Sequence, residues 1–206
     1  LRGPGGRVAV AWDTRHRSEE FARLAAATLV AHGLHVLFFD GFRATPELSF
    51  AVRELDCDAG IVISASHNPP ADNGIKIYWT HGGQVLPPHD AEIIEAVGTA
   101  ATIPAGDFDA ARDSDRLTIL EDDFDSMYYE AVLRTGFSDA RQLDAIYTPL
   151  HGVGTRSILP VLERAGFDGV RLFEPQASPD GSFPNVPDQL PNPERPEVFG
   201  PAIDEA

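Results

Sequence analysis

Residues 64–69 read Ser-Ala-Ser-His-Asn-Pro, and a lysine, Lys76, stands ten positions after the second serine. Two chemistries are open to such a group. Ser66 with His67 as its base would make a hydrolase pair. Neighbouring side chains in extended chain point in opposite directions, however, so His67 is badly placed to deprotonate Ser66. The Gly-x-Ser-x-Gly elbow of such enzymes is also absent from the sequence. A serine that carries a phosphoryl group needs no such base, because a loaded phosphoserine has only to be aligned and charge-neutralised. Arg15 and Lys76 are the candidate cations for that task. Asn68-Pro69-Pro70 restricts the backbone and Asn73-Gly74 is expected to supply positive φ for a tight return, so the loop is predicted to hold Ser66 rigidly; the plainer reading is an ordinary surface loop.

Lys76 stands out by composition as well as by place. The chain's sixteen basic residues are fifteen arginines and this one lysine. An arginine stays charged, whereas a lysine can give and take a proton, so a lone lysine near a candidate phosphoryl carrier invites an acid/base role. Histidines 67, 81, 89 and 151 form no His-x-x-x-His or Cys/His cluster, which argues against a histidine metal site. The turn His151-Gly152-Val153-Gly154 has the look of a phosphate cradle, but tight strand-to-helix packing explains its glycines better.

These residues need a scaffold, and the apolar pattern predicts one. Residues 7–13, 34–39 and 59–64 are apolar runs of the kind found in the interior of a parallel sheet, and 74–79 is a fourth strand whose short connection makes it antiparallel. Between them a helix with Phe21, Leu24, Ala25, Thr28 and Leu29 on one face is predicted to start at a Ser18 cap and stop at Gly33. A second is predicted to start with Thr45 as cap and Pro46 in its first turn. The fold class is α/β: a three-layer α/β/α domain with a mainly parallel, mixed sheet. Polar residues at three strand ends, Asp13-Thr14-Arg15, Asp40-Gly41 and 64–73, are expected to converge on one pocket.

After a helix near 90–97, residues 98–116 read as a linker, which sets an expected first domain of 1–118 and a second of 119–206. The second is predicted to open with a helix over 122–134, apolar at Phe124, Met127, Tyr128, Ala131 and Val132. It continues with a strand at 143–148, a helix closed by Gly166 and a strand at 169–173. A single βαβ unit cannot cover both faces of a sheet, so this domain reads as incomplete and the chain as a fragment.

With 32 acidic and 16 basic residues the formal charge is −16, which disfavours nucleic-acid and anionic-membrane partners. No apolar run approaches the roughly 20 residues of a membrane helix, the N-terminus has no apolar signal core, and Cys57 is the only cysteine. A cytoplasmic protein is the expectation. Nothing in the sequence sets an oligomeric state.

At 64–69, with Asn73-Gly74-Ile75-Lys76 following, the sequence resembles the α-D-phosphohexomutase superfamily of phosphoglucomutases and phosphomannomutases. Further matching pieces occur in the family's order. They are Asp13-Thr14-Arg15 with Ser18, Thr45-Pro46, Tyr78-Trp79 with Gly83-Gln84, the run 148–154, and Pro191-Asn192-Pro193-Glu194. The aromatic pair, Gly83-Gln84 and the run 179–184 are most similar to the branch with phosphopentomutase-like and bacterial phosphoglucomutase proteins. The resemblance implies a phosphosugar substrate, transfer between C1 and a terminal hydroxyl, and a sugar bisphosphate intermediate. It implies Ser66 as the phosphoserine, Lys76 as general acid/base, and Arg15, His67 and Asn68 as phosphate- or substrate-binding residues. It also implies magnesium bound through the Ser66 phosphate and an Asp-Gly-Asp-type acidic loop that this sequence lacks. Third and fourth domains for sugar and distal-phosphate recognition are missing too, as is a Gly-Thr-x-Gly-type N-terminal loop. The fragment alone is therefore expected to be inactive. The rival reading is a non-catalytic phosphosugar-binding module of the same fold.

Overall fold

The structure, a computed structural model, describes residues 5–100, 103 and 106–205. Residues 1–4, four residues of the expected linker and residue 206 lie outside this set. Five strands form the main sheet: β1 (Arg7–Trp12), β2 (His35–Phe39), β3 (Ala59–Ile63), β4 (Ile75–Trp79) and β5 (Leu117–Leu120), in the order β4-β3-β1-β2-β5. β1 lies parallel to β2 and to β3, with Val8 opposite Val36 and Ala59. β4 runs antiparallel to β3, as its short connection requires, and pairs Lys76 with Val62.

The chain leaves β1 for β2 through α1 (Ser18–Ala31), then returns past β1 to β3 through α2 (Thr45–Glu54). Right-handed crossovers in opposite directions place these two helices on opposite faces of the sheet. The carboxyl ends of β1 and β3 thus meet at the point where strand order reverses, the place where doubly wound sheets bind ligands.

Both helix starts differ from expectation. Ser18 is the first helical residue of α1 and its hydroxyl donates to Asp13, 2.6 Å away, while Arg17 takes the cap position at φ 63°. Ala44, not Thr45, precedes α2, and the Thr45 side chain turns toward a cleft. In each case a hydroxyl that suits a cap is drawn to a tertiary position instead. The buried face of α1 is Ser18, Ala22, Ala26 and Ala27, and Leu24 of the predicted stripe is exposed. Small residues let the helix lie close to the sheet, which an apolar-period reading does not reveal.

A second difference lies after α3 (His89–Thr99). The stretch read as linker holds a short helix, α4 (Phe108–Arg112), and leads into β5, which pairs parallel with β2. The boundary drawn between 118 and 119 runs through this strand. The core of the first unit, with Val8, Val10, Phe39, Leu48 and Val62, also takes in Phe124 from α5 (Asp122–Leu133), whose ring meets Phe39 edge-on at 5.7 Å. On α5 the buried residues are Phe124, Asp125 and Tyr129, whereas Met127 is exposed. An acid took an inward position that hydropathy assigns to apolar residues.

The second unit pairs β6 (Ala145–Tyr147) in parallel with β7 (Val170–Leu172) through α6 (Ile158–Ala165), which Gly166 closes at φ 83°; the last described element is α7 (Gly200–Glu205). Leu150, Phe183, Val186 and Val198 form its own small core. Among the described residues no helix is long and apolar enough to cross a membrane.

Candidate active site

A cleft of about 450 Å³ opens between the two units. Asp13, Thr14 and Arg15 line it from the end of β1, Ser64, Ser66 and His67 from the end of β3, and Lys76 from β4. The second unit contributes Tyr147–Leu150, the turn 152–154, and Phe183, Pro191, Pro193 and Phe199. Of the three polar strand ends expected to converge, two do. Asp40 instead faces Arg43 and Arg156.

The loop after β3 is built around Arg15, which is only 4% exposed. Its Nε and Nη2 donate to the Ser66 carbonyl at 3.3 and 2.9 Å, Nη1 donates to the carbonyls of Pro69 and Asp72 at 2.8 and 3.3 Å, and Nη2 also donates to that of Asn68. A guanidinium has five N–H donors, and all five are used on backbone carbonyls of this loop. Burial pushes the Arg15 pKa down, opposed by the nearby Asp13 and Asp72 carboxylates. Arg15 thus scaffolds the Ser66 loop while also lining the cleft. Asn68 joins the loop through its carbonyl, and its side chain is exposed outside the cleft lining.

Ser66 sits at φ 56°, a left-handed conformation that costs a non-glycine residue about 1 kcal/mol or more. Its N–H donates to Ser64 Oγ at 3.0 Å, and its carbonyl is held by Arg15. Both backbone groups are thus fixed, while the side chain is exposed to the cleft. A second brace returns the loop: Asn73 donates to Ser18 Oγ at 2.9 Å and to the His16 carbonyl at 3.1 Å, and its own Oδ1 accepts from Gly74 N–H at 2.8 Å. Ser18 in turn holds Asp13, which also accepts from the Arg15 N–H. Ser64 and Ser18 were not among the expected site residues, because only their fold-level meeting gives them a role; Asn73-Gly74 does return the loop, but through the Asn73 side-chain bonds and with neither residue at the expected positive φ.

Lys76 is half-buried on β4 and, among the described residues, its side chain has no hydrogen-bond or ion-pair partner. His67 lines the cleft from the next position along the loop from Ser66, with no contact that would make it the base of that serine. The turn at 152–154 behaves as packing predicts: a Cβ on Gly154 would lie 1.8 Å from the Tyr147 hydroxyl, and the turn is a 3₁₀ segment ahead of α6, not the helix start itself.

Behind the cleft lies a buried charge cluster that joins the two units. Arg43, 1% exposed, donates through Nε and Nη2 to the Asp125 carboxylate at 2.7 and 2.9 Å and through Nη2 to Asp40 at 2.6 Å. Arg156 bonds Asp122 at 2.9 Å and reaches Asp125 at 3.4 Å. Glu47 is fully buried here, with Arg43 Nε 3.7 Å from one oxygen, and neither oxygen receives a hydrogen bond from another group. Burial, then a hydrogen bond shared with Asp125 and the charge of Asp125, raise the Glu47 pKa from 4.5 to about 9. Burial and the neighbouring Asp125 carboxylate thus favour the neutral form of Glu47.

The raised pKa predicts a pH dependence. The proton held in the folded state stabilises fully below pH 4.5, and its contribution is lost as pH rises toward about 9. Glu47→Gln keeps a neutral donor and removes this titration. Denaturant unfolding of both proteins should show the variant gaining on the parent between pH 5 and 8, by up to about 1.4 kcal/mol per pH unit. Parallel pH curves would mean that Glu47 is ionised in the folded protein.

The fold and cleft define an α/β/α domain with a braced serine loop at its switch point, closed over by part of a second α/β unit. Residues 1–103 match the family described as phosphoglucomutase/phosphomannomutase, alpha/beta/alpha domain I, and residues 126–206 match domain II of the same family. The chain belongs to the phosphoglucomutase/phosphomannomutase family, within the α-D-phosphohexomutase superfamily. It is 35% identical over 196 residues to a phosphoglucomutase of Staphylococcus saprophyticus, covering 93% of this chain and 35% of the relative. It is 36% identical over 206 residues to the probable phosphoribomutase of Schizosaccharomyces pombe, covering 97% and 35%. Among solved structures, a phosphoglucomutase/phosphomannomutase family protein from Burkholderia thailandensis matches with TM-score 0.72 and 26% identity, over 98% of this chain and 42% of that one. The chain thus spans about a third of the length of the curated relatives it matches.

Proposed function

We propose that residues 1–206 form the phosphoserine-bearing part of a phosphosugar mutase, which moves a phosphoryl group between the C1 oxygen and a terminal hydroxyl of a sugar. The observation that carries this reading is Ser66: its backbone is fixed on both sides, and its hydroxyl stands free in a cleft shared with the unpartnered Lys76. That arrangement suits a group that holds a phosphate in place and has no use for a base of its own. Its relatives, a phosphoglucomutase and a probable phosphoribomutase, are named for the same reaction class.

In the transfer, a sugar hydroxyl oxygen bonds to phosphorus as the bond from phosphorus to Ser66 Oγ breaks. The Lys76 ammonium protonates the departing Oγ, and the resulting amine takes the proton of the sugar hydroxyl, so the lysine is restored. The sugar leaves this half-reaction as a bisphosphate and returns its other phosphate to Ser66 in the second half. His67, on the cleft wall beside Ser66, is placed to contact the phosphosugar.

Magnesium, which the family implies, would add charge neutralisation at the phosphoryl oxygens. The residues of this chain do not make its site. Among the described residues no group of three or more His, Cys, Asp or Glu side chains is set to hold a metal, and Asp13, the one carboxylate lining the cleft, is engaged by Ser18 and Arg15. This chain brings one ligand, the Ser66 phosphate, and no step here is routed through the ion.

The test is turnover. With a catalytic amount of sugar 1,6-bisphosphate, the full-length protein should interconvert 1- and terminal phosphates of at least one of glucose, mannose or ribose, followed by ³¹P NMR. Residues 1–206 alone should not, because positioning and electrostatics dominate phosphoryl transfer and much of both would come from elsewhere. A full-length protein that binds these phosphosugars and converts none would be a binding module. Turnover by residues 1–206 alone would refute the fragment claim.

A further inference from the structure

The Arg15 guanidinium presents an edge and two faces, and its whole edge is occupied by the carbonyls of the Ser66 loop. Only the faces remain for further contact, and the ring of Phe183 covers one of them, 5.1 Å from the ring centroid to Arg15 Cζ. Phe183 comes from the second unit, is 2% exposed, and sits at φ 48°, a conformation unfavourable for a bulky residue. We infer that Phe183 is a positioning residue for Ser66: by capping Arg15 it couples the placement of the second unit to the shape of the serine loop.

The turn that carries Phe183 is fitted closely to the segment after β1. A Cβ on Gly181 would lie 2.5 Å from the His16 nitrogen and 3.0 Å from both the Arg15 Cα and the Arg15 carbonyl carbon, backbone atoms that cannot swing away. Ser182 Oγ lies 2.9 Å from His16 Nε2. The His151 carbonyl accepts from Thr14 Oγ1 at 2.9 Å and from the Asp180 N–H at 3.2 Å, so one acceptor ties both segments together. Asp180 then shapes the turn by accepting from the Ser182 N–H through Oδ1 at 2.7 Å and from the Phe183 N–H through its carbonyl at 3.1 Å. Glycine at 181 and a flat ring at 183 are what this approach requires. An aliphatic side chain would bury the space but offers the guanidinium no π face.

The significance of this clamp rests on the phosphoserine reading, while its geometry can be tested without catalysis. In ¹⁵N-labelled chain, the Arg15 Nε–H signal should be shifted upfield by the Phe183 ring and exchange slowly with water. Phe183→Leu should abolish the ring shift and speed exchange of the Arg15 Nε–H and of the Asn68 and Asp72 amides by at least about tenfold, because the loop opens locally. Gly181→Ala, which keeps the ring but displaces the turn, should do the same, and it serves as the reading if Phe183→Leu does not fold. Phe183→Tyr should restore the shift. A variant that lowers stability yet leaves the Arg15 signal and loop exchange unchanged would overturn the inference and make Phe183 merely part of the small core with Leu150 and Val186. Phosphopeptide mapping of the unaltered full-length protein separates the two claims. Phosphate on Ser66 with no effect of Phe183→Leu leaves the mutase reading and removes the clamp, and the reverse pattern leaves the clamp alone.

Discussion

Ser66→Ala in the full-length protein is expected to lower mutase turnover by about 10⁴-fold or more while leaving the fold unchanged. The hydroxyl is exposed in the cleft, and the bonds that fix the loop run through the Ser66 backbone, which alanine keeps. Alanine at φ 56° is no more strained than serine. Thermal unfolding should thus be nearly superimposable while activity is lost. This separates a phosphate carrier from a structural serine. Ser64, whose Oγ accepts from the Ser66 N–H, gives the contrast: Ser64→Ala leaves that donor without its acceptor and should loosen the loop without removing the carrier.

Lys76 carries the second large effect. Lys76→Met should reduce kcat by about 10² to 10⁴-fold, the range for loss of a general acid/base. Lys76→Arg is the sharper variant, since it keeps a cation on β4 but cannot transfer a proton near neutral pH. If Lys76 only neutralises phosphate, arginine should restore most of the rate. If it moves protons, Lys76→Arg should remain nearly as slow as Lys76→Met. The absence of any ion-pair partner for the Lys76 side chain among the described residues leaves it free for either role, and the arginine variant decides between them.

How much of this could be seen in the sequence depended on how local the cause was. The strands at 7–12, 35–39 and 59–63 were legible because an interior parallel strand is a continuous apolar run. Their crossovers then put the 13–15 and 64–73 loops together by chirality alone. β5 was not legible: four residues after a weakly periodic stretch carry too little pattern, and only pairing with β2 defines it. The starts of α1 and α2 were misjudged because Ser18 and Thr45 have the chemistry of caps, but Asp13 and the cleft claim their side chains.

The site divides in the same way. Ser66 and Lys76 were singled out by residue type and spacing and His67 through the family resemblance, and all three line one cleft. Arg15 was found too, but not its duty, since nothing local says that five donors will meet the carbonyls of a loop some fifty residues on. The buried Arg43–Asp125 pair spans 82 positions, and an acid inside α5 contradicts the amphipathic pattern that predicts the helix. Phe183 reads as an ordinary core aromatic until its ring is placed over Arg15. In each case the missing information is a long-range contact.

The central claim is that Ser66 carries the phosphoryl group, and its most direct test is a mass measurement. Full-length protein incubated with a sugar 1,6-bisphosphate, then digested and mapped, should show one phosphate on the peptide containing residues 64–69, localised to Ser66. The same peptide should lose it when excess sugar monophosphate is added. A peptide that stays unmodified, or a phosphate localised to Ser64 in its place, would contradict the account.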